Sequence, residues 1–206
     1  HAIVRIGRDG AMKRFQIGGG PTGLAIHADG GVWFADSHRH CICRLDPDTG
    51  DIATIYDRVD DTPLAGANDL AFDSVGTLIF TCPGDSRELP TGFVCAAPLG
   101  EEPRIIASEL RFPNGLAFDN GGTRLLIAET RKQRVLSGEW RPDTVEWIAP
   151  VPLMATAGPI GPDCMAIGED GAIYCAIFGA GIVQRFSPDG ADLEPIATPG
   201  NAPSNC

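Results

Sequence analysis

FPNGLAFDNGGTRLLIAET, Phe112 to Thr130, sets two apolar runs either side of a polar break at Asp119-Asn120-Gly121-Gly122. Asn and Gly tolerate the positive φ of a tight reversal, so the stretch predicts a two-strand hairpin. Asn114 stands directly before the first strand, behind a proline. The same arrangement recurs. PTGLAIHADGGVWFAD (Pro21 to Asp36), GANDLAFDSVGTLIFTC (Gly66 to Cys82) and GPDCMAIGEDGAIYCAI (Gly161 to Ile177) align with it, placing Thr22, Asn68, Asn114 and Asp163 in register, 46, 46 and 49 residues apart. A further copy opens at Pro203-Ser204-Asn205, with Ser204 41 residues beyond Asp163.

Between these hairpins lie CICRLDPDTGDIATIYD, TGFVCAAPLGEEPRIIA, RVLSGEWRPDTVEWIA and GIVQRFSPDGADLEPIA, each two short strands with turn residues at the reversal. Each repeat therefore holds four strands, A to D, and four strands at this period predict a β-propeller blade. A β-sandwich would not place a polar residue at a constant position before every fourth strand. The expected division is one all-β domain over residues 1–206. Residues 1–19 would be the end of a preceding blade, with a hairpin around Asp9-Gly10. Residues 20–65, 66–111, 112–160 and 161–201 would be four blades, and 202–206 the start of another. That count leaves the ring open unless its ends join, so the chain is expected to be a fragment of a longer propeller, or else a five-blade ring whose last blade lacks strand B. The initial His1 in place of Met points the same way.

A formal charge of -11 disfavours nucleic acid or an anionic membrane as partner, because phosphates demand clustered Lys and Arg. Arg131, Lys132 and Arg134 form the one short basic cluster and read as a solvated loop and strand start. Seven cysteines, an odd number without CxxC spacing, fit neither a disulfide framework nor a zinc site. Cys41 and Cys43 would share one side of a strand as packing residues. These thiols imply a reducing compartment, the cytoplasm. No apolar run is long enough to span a membrane and no leader-like segment opens the chain.

In a propeller the A strands line the central channel, so Asn68, Asn114 and Asp163 would converge at its mouth. Two amide oxygens and a carboxylate make a hard-oxygen site for one divalent cation, Ca2+ first, with Zn2+, Mg2+ or Mn2+ as alternatives. Asn or Asp before a strand can also simply cap a turn; three in register argue for the site. The B–C loops share the mouth and add Asp36, His38, Cys82, Glu129, Arg131 and Phe178 as rim candidates, and Asp69 lies beside Asn68. No Gly-rich phosphate loop and no nucleophile elbow is present.

The succession GANDLAFDSVGTLIFT, PTGFV, FPNGLAFDNGGTRLLIAET and GPDCMAIGEDGAIYCA closely resembles the SMP-30/gluconolactonase/luciferin-regenerating group, over nearly the whole chain. The resemblance implies a six-bladed propeller, here about four and a half blades, with one divalent metal at the channel mouth. It implies Asn114 and Asp163 as metal ligands, Asn68 on the substrate and water side, and Asp163 also as the base that activates water. The implied reaction is hydrolysis of a small lactone or ester. The sequence departs from the family pattern in four places. The remaining ligand, a Glu of the first blade, lies upstream of residue 1; Gly66 replaces an Arg common in the sugar-lactonase branch; FTDP reads FTCP at Cys82; and GPDG reads GPDC at Cys164. Residues 1–57 also resemble streptogramin B lyase, a related seven-bladed propeller whose base is a histidine, which would single out His38. A non-catalytic binding propeller is the third reading.

Overall fold

The structure, a computed structural model describing residues 1–206, is built from strands joined by short turns. A hairpin of β1 (Ala2–Ile6) and β2 (Met12–Gln16) precedes four four-stranded antiparallel sheets. Sheet one holds β3 (Pro21–Ile26), β4 (Val32–Asp36), β5 (Cys41–Leu45) and β6 (Ile52–Tyr56). After a two-residue ribbon, β7 (Arg58–Val59) and β8 (Thr62–Pro63), sheet two follows with β9 (Leu70–Phe72), β10 (Leu78–Cys82), β11 (Gly92–Ala97) and β12 (Arg104–Leu110). Sheet three comprises β13 (Pro113–Phe118), β14 (Arg124–Glu129), β15 (Arg134–Arg141) and β16 (Glu146–Ala155); sheet four comprises β17 (Gly161–Ile167), β18 (Ile173–Phe178), β19 (Ile182–Phe186) and β20 (Asp192–Ala197). Within each sheet the strands pair in sequence order, and the first strands of successive sheets, β3, β9, β13 and β17, lie side by side. The arrangement is propeller-like. No helix is long and apolar enough to cross a membrane.

Sequence alternation explains why the sheets stack. In β14, Leu125 and Ile127 join a core shared with sheet two, while Leu126 and Ala128 join one shared with sheet four. In β10, Leu78, Phe80 and Cys82 face sheet one and Ile79 faces sheet three. A strand apolar on both faces needs a neighbour on each side, and successive side chains point to opposite faces. Polar bonds tie the layers: Trp140 Nε1 donates to Asp73 Oδ2 of sheet two at 3.0 Å, and Tyr56 OH donates to the Glu101 carbonyl at 3.1 Å. The N-terminal hairpin packs Ile3, Phe15 and Ile17 against Phe34 and Leu45 of sheet one.

The central hairpin forms as its composition dictates. Asp119 Oδ1 accepts the Thr123 and Arg124 N–H groups, and Gly122 takes a φ of 64°. All seven cysteines are free thiols and six are buried. Cys41 and Cys43 do share one side of β5, their sulfurs 3.5 Å apart within the core beneath the hairpin.

Phe80, fully buried and stacked on Tyr56 with ring centroids 6.4 Å apart, lies between sheets one and two. Phe80→Ala is expected to cost about 3–5 kcal/mol in urea unfolding, through lost transfer energy and the cavity left behind. Ile196→Ala on the exposed β20 should stay within about 0.5 kcal/mol. Similar losses at the two positions would contradict the layered core.

Candidate functional site

The repeated polar position is singled out by backbone irregularity. The pairing with the next strand breaks after the first residue of β3 and β13 and after the second of β17, and resumes three residues on, at Leu24, Leu116 and Met165. Each bulge leaves the repeated residue, Thr22, Asn114 or Asp163, outside the ladder, and bulges commonly re-aim a side chain beside a functional site. Sheet two reaches the same end differently: its ladder begins at Leu70, and Asn68 and Asp69 are held to Thr81 by backbone bonds. Gly115 follows Asn114 because nothing larger fits. A Cβ there would lie 2.5 Å from the Asp163 carbonyl and the Cys164 Cα, so glycine sets the close approach of β13 to β17.

These residues meet in a cavity of about 270 Å³ that Asn68, Asn114 and Asp163 line together with Arg131. Asn114 is buried. Its Nδ2 donates to Thr130 Oγ1 at 3.2 Å, and Thr130 Oγ1 in turn donates to the Pro162 carbonyl at 2.7 Å. This chain of bonds commits the amide nitrogen and leaves Asn114 Oδ1 buried with no hydrogen-bond partner. A buried acceptor without a donor is unfavourable in isolation, and it is the donor a hard cation needs. Burial pushes the Asp163 carboxyl up to about 6, the charge of Asp69 adding to the effect and the Asn114 amide opposing it. The Asn68 side chain makes no hydrogen bond within the chain. A divalent cation fits this set: one carboxylate and two amide oxygens, with Asn114 Oδ1 already lacking a donor. Nowhere do three His, Cys, Asp or Glu side chains converge, so the amide oxygens would be indispensable to such a site.

Of the remaining sequence candidates Phe178 lines this cavity and the others lie outside it. Asp69 turns into the wall. Its Oδ2 accepts the Leu116 N–H at 3.0 Å and faces the Cys164 thiol at 3.8 Å, joining sheets two, three and four. Glu129 is buried, Oε1 accepting the Arg111 N–H at 2.8 Å and Oε2 bonding the Arg134 guanidinium. Asp36, its counterpart in sheet one, likewise accepts the Gly20, His38 and Arg39 N–H groups. Cys82 is a fully buried core residue shared by sheets one and two, its thiol pushed far up by burial. His38 is exposed at the far side of sheet one, its ring against Gly20 and 5.3 Å from that of His1. Conversely, Arg87, Phe112, Thr130 and Ile160 line the cavity without having been singled out, beside Phe178. Phe112 and Ile160 belong to the links that enter the A strands, which reach the mouth as surely as the B–C loops do. A signal existed: two residues before Asn68 and Asp163 stand Gly66 and Gly161, whereas Phe112 stands before Asn114.

Residues 2–206 match the family described as SMP-30/Gluconolactonase/LRE-like region. A gluconolactonase of Zymomonas mobilis is 26% identical over 214 residues, an alignment covering 91% of this chain and 57% of that protein. Among solved structures, a gluconolactonase of Xanthomonas campestris aligns with a TM-score of 0.86 at 25% identity, over 100% of this chain and 71% of that one. A calcium-binding protein of Agrobacterium tumefaciens, regucalcin, aligns at 0.81 and 20% identity, over 96% of this chain and 66% of its own, a likeness of fold. The chain thus spans 57% of the length of the Zymomonas relative.

Burial also raises the Asp69 carboxyl to about 6, the Leu116 and Leu70 N–H groups opposing it. A folded-state value above the unfolded one means that the native protein holds a proton the unfolded chain has released between about pH 4 and pH 6. Stability is therefore lost as pH rises through that window, by about 2–3 kcal/mol for a carboxyl this buried. In chelator-treated protein the melting temperature should fall between pH 5 and pH 7.5, and Asp69→Asn, which keeps an acceptor for Leu116, should shrink that fall by roughly 5 °C. Parallel curves for the two proteins would refute this assignment.

Proposed function

Because the chain belongs to the SMP-30/gluconolactonase/LRE-like family, we propose that it is the site-bearing part of a six-bladed propeller that hydrolyses a small lactone or related ester. The observation that carries the reading is the convergence of an unsatisfied amide oxygen, Asn114 Oδ1, with the Asp163 carboxylate in one cavity. Gluconolactonase and lactonase relatives support a hydrolase in general terms. The hard-oxygen donor set supports a divalent cation, calcium before zinc, magnesium or manganese, and regucalcin's description as calcium-binding agrees with it.

In this reading Asn114 and Asp163 hold the cation and Asn68 orients water or substrate. When bound, the cation supplies Lewis-acid polarisation of the ester carbonyl. Asp163 takes the proton of the attacking water as the one carboxylate lining the cavity. The buried setting of Asn114 and Asp163 strengthens their electrostatic effect on a charge developing at the carbonyl oxygen. Asp69 and Glu129 keep their structural bonds and take no part in the chemistry.

Asp163→Asn should lower kcat for lactone opening by about a hundredfold or more, the range expected for a lost general base. Because a bound cation favours the carboxylate, the acid limb of the wild-type kcat/KM profile should lie below the value of the metal-free site, rising about tenfold per pH unit up to it and levelling off above. An acid limb that Asp163→Asn leaves in place would sink the assignment. Binding is tested separately from turnover. Calcium should raise the melting temperature of the wild type in proportion to occupancy of the native state, and Asn114→Ala should abolish that rise. If Asn114→Ala responds to calcium as the wild type does, Asn114 is no ligand.

A further inference from the structure

We propose that the cavity beside Asp163 takes an ester bearing an anionic group, a carboxylate, held by Arg87 and Arg131 against the ring of Phe112. The inference rests on the hydrolase reading above and adds the class of ester. The two guanidinium groups reach the cavity from different sheets, Arg87 from the link between β10 and β11 and Arg131 from the 3-10 turn after β14. Neither pairs with a carboxylate. The ion pairs of the chain occupy Arg5, Arg39, Arg44, Arg58, Arg124, Arg134 and Arg141; of the seven arginines they leave out, Arg87 and Arg131 are the two that line the cavity. A chain of net charge -11 repels a diffusing anion, so an anion can settle here only against local positive charge. Arginine's planar fork matches a carboxylate in two parallel hydrogen bonds.

The wall between the arginines is built at the expense of backbone strain. Phe112 has a φ of 58°, and its counterparts two residues before Asn68 and Asp163 are Gly66 at 65° and Gly161 at 134°. Three of the four copies thus take a positive φ at this position, the Gly20 copy of sheet one being the exception; two use glycine, which adopts it freely, and one a bulky aromatic residue. Strain of this kind persists only where surrounding bonds enforce it and clusters at ligand sites. Here the Phe112 N–H donates to Ser86 Oγ at 2.9 Å and its carbonyl accepts the Thr130 N–H at 3.1 Å, while the Arg131 N–H donates to the Arg111 carbonyl at 3.2 Å. Those bonds knit the segments carrying both arginines into one surface, and the Arg87 guanidinium lies over the Phe112 ring, 5.7 Å from its centroid. Phe112 belongs to none of the core clusters, so packing alone does not call for its ring. The cavity of about 270 Å³ is at the small end for ligand pockets and suits a single-ring molecule with its ester toward Asp163 and its carboxylate toward the arginines.

The test compares γ-butyrolactone carrying a ring carboxylate with its neutral primary amide, at saturating calcium. The wild type should prefer the carboxylate in kcat/KM by about tenfold or more, and Arg87→Gln and Arg131→Gln should each cut that preference about fivefold, chiefly through KM. In the double variant the preference should approach unity. A wild-type ratio near one, or a ratio retained by the double variant, overturns the proposal. If neither compound is hydrolysed, the hydrolase reading falls, and calorimetric binding of the carboxylate compound decides the anion site by itself. Affinity weakened about tenfold or more in the double variant upholds it; equal affinity in both proteins, or none in the wild type, overturns it.

Discussion

Everything at the mouth follows from how the innermost strands meet. β3, β9, β13 and β17 lie side by side with no ladder between them, yet the backbone groups they turn toward one another must find partners. Side chains close the gap. Thr22 Oγ1 donates to the Asn68 carbonyl at 2.6 Å, Thr81 Oγ1 to the Asn114 carbonyl at 2.8 Å and Thr130 Oγ1 to the Pro162 carbonyl, while Asp69 accepts from Leu116. Backbone contacts fit between them where glycine permits, as where the Gly23 N–H meets the Asn68 carbonyl at 2.7 Å. With the main chain satisfied by these bridges, the amides of Asn68 and Asn114 are released from capping duty and face the cavity.

The same requirement divides the acids. Asp36, Asp69 and Glu129 are buried and accept backbone N–H groups that would otherwise be orphans, which ties them to structure. Asp69 and Glu129, bonded in this way and turned from the cavity, offer little to a substrate or cation; Asp36 keeps one buried oxygen, Oδ2, without a hydrogen bond, but it lies outside the cavity, with Arg39 Nε 3.6 Å away. Asp163 stands apart: half-buried, it accepts no backbone N–H, has only the Asn114 amide beside it, and lies in the charge field of Asp69. Its desolvation is opposed by one side-chain amide and by no backbone donor, and a weakly compensated buried charge lining a cavity is where chemistry or an ion is energetically useful.

Much of this was legible in the sequence. The turn residues and doubly apolar strands announced the four-stranded repeat, because a strand buried on both faces reads as a continuous apolar run. The register of Asn68, Asn114 and Asp163 gave the convergence. Register alone, however, locates a residue along a strand and says nothing of what its side chain bonds. Glu129 stands at the right height, but Arg134, five residues on, and the Arg111 N–H hold its carboxylate. Cys82 stands at that height too, but the alternation that puts Leu78 and Phe80 in the core with sheet one puts Cys82 there as well. Phe112 was the inverse case: the telling fact was a glycine position filled by something else, visible only once backbone angles explain why glycine belongs there.

The three convergent residues are not equally anchored. Asn68 and Asn114 belong to sheets two and three, each covered on both faces by neighbours, whereas Asp163 begins sheet four, whose second face carries the exposed Phe178. On that side the bridge to the next register position is the Cys164 N–H donating to the Ser204 carbonyl at 3.2 Å, the counterpart of Gly23 meeting Asn68. Between sheets one and two the same backbone bond is reinforced by the Thr22 hydroxyl. Asp163 therefore depends more on what lies against sheet four than Asn114 depends on anything outside its own sheets. Covering that face would deepen the desolvation of Asp163. By this logic the electrostatics of the cavity are set as much by the packing of the next layer as by the residues that line it.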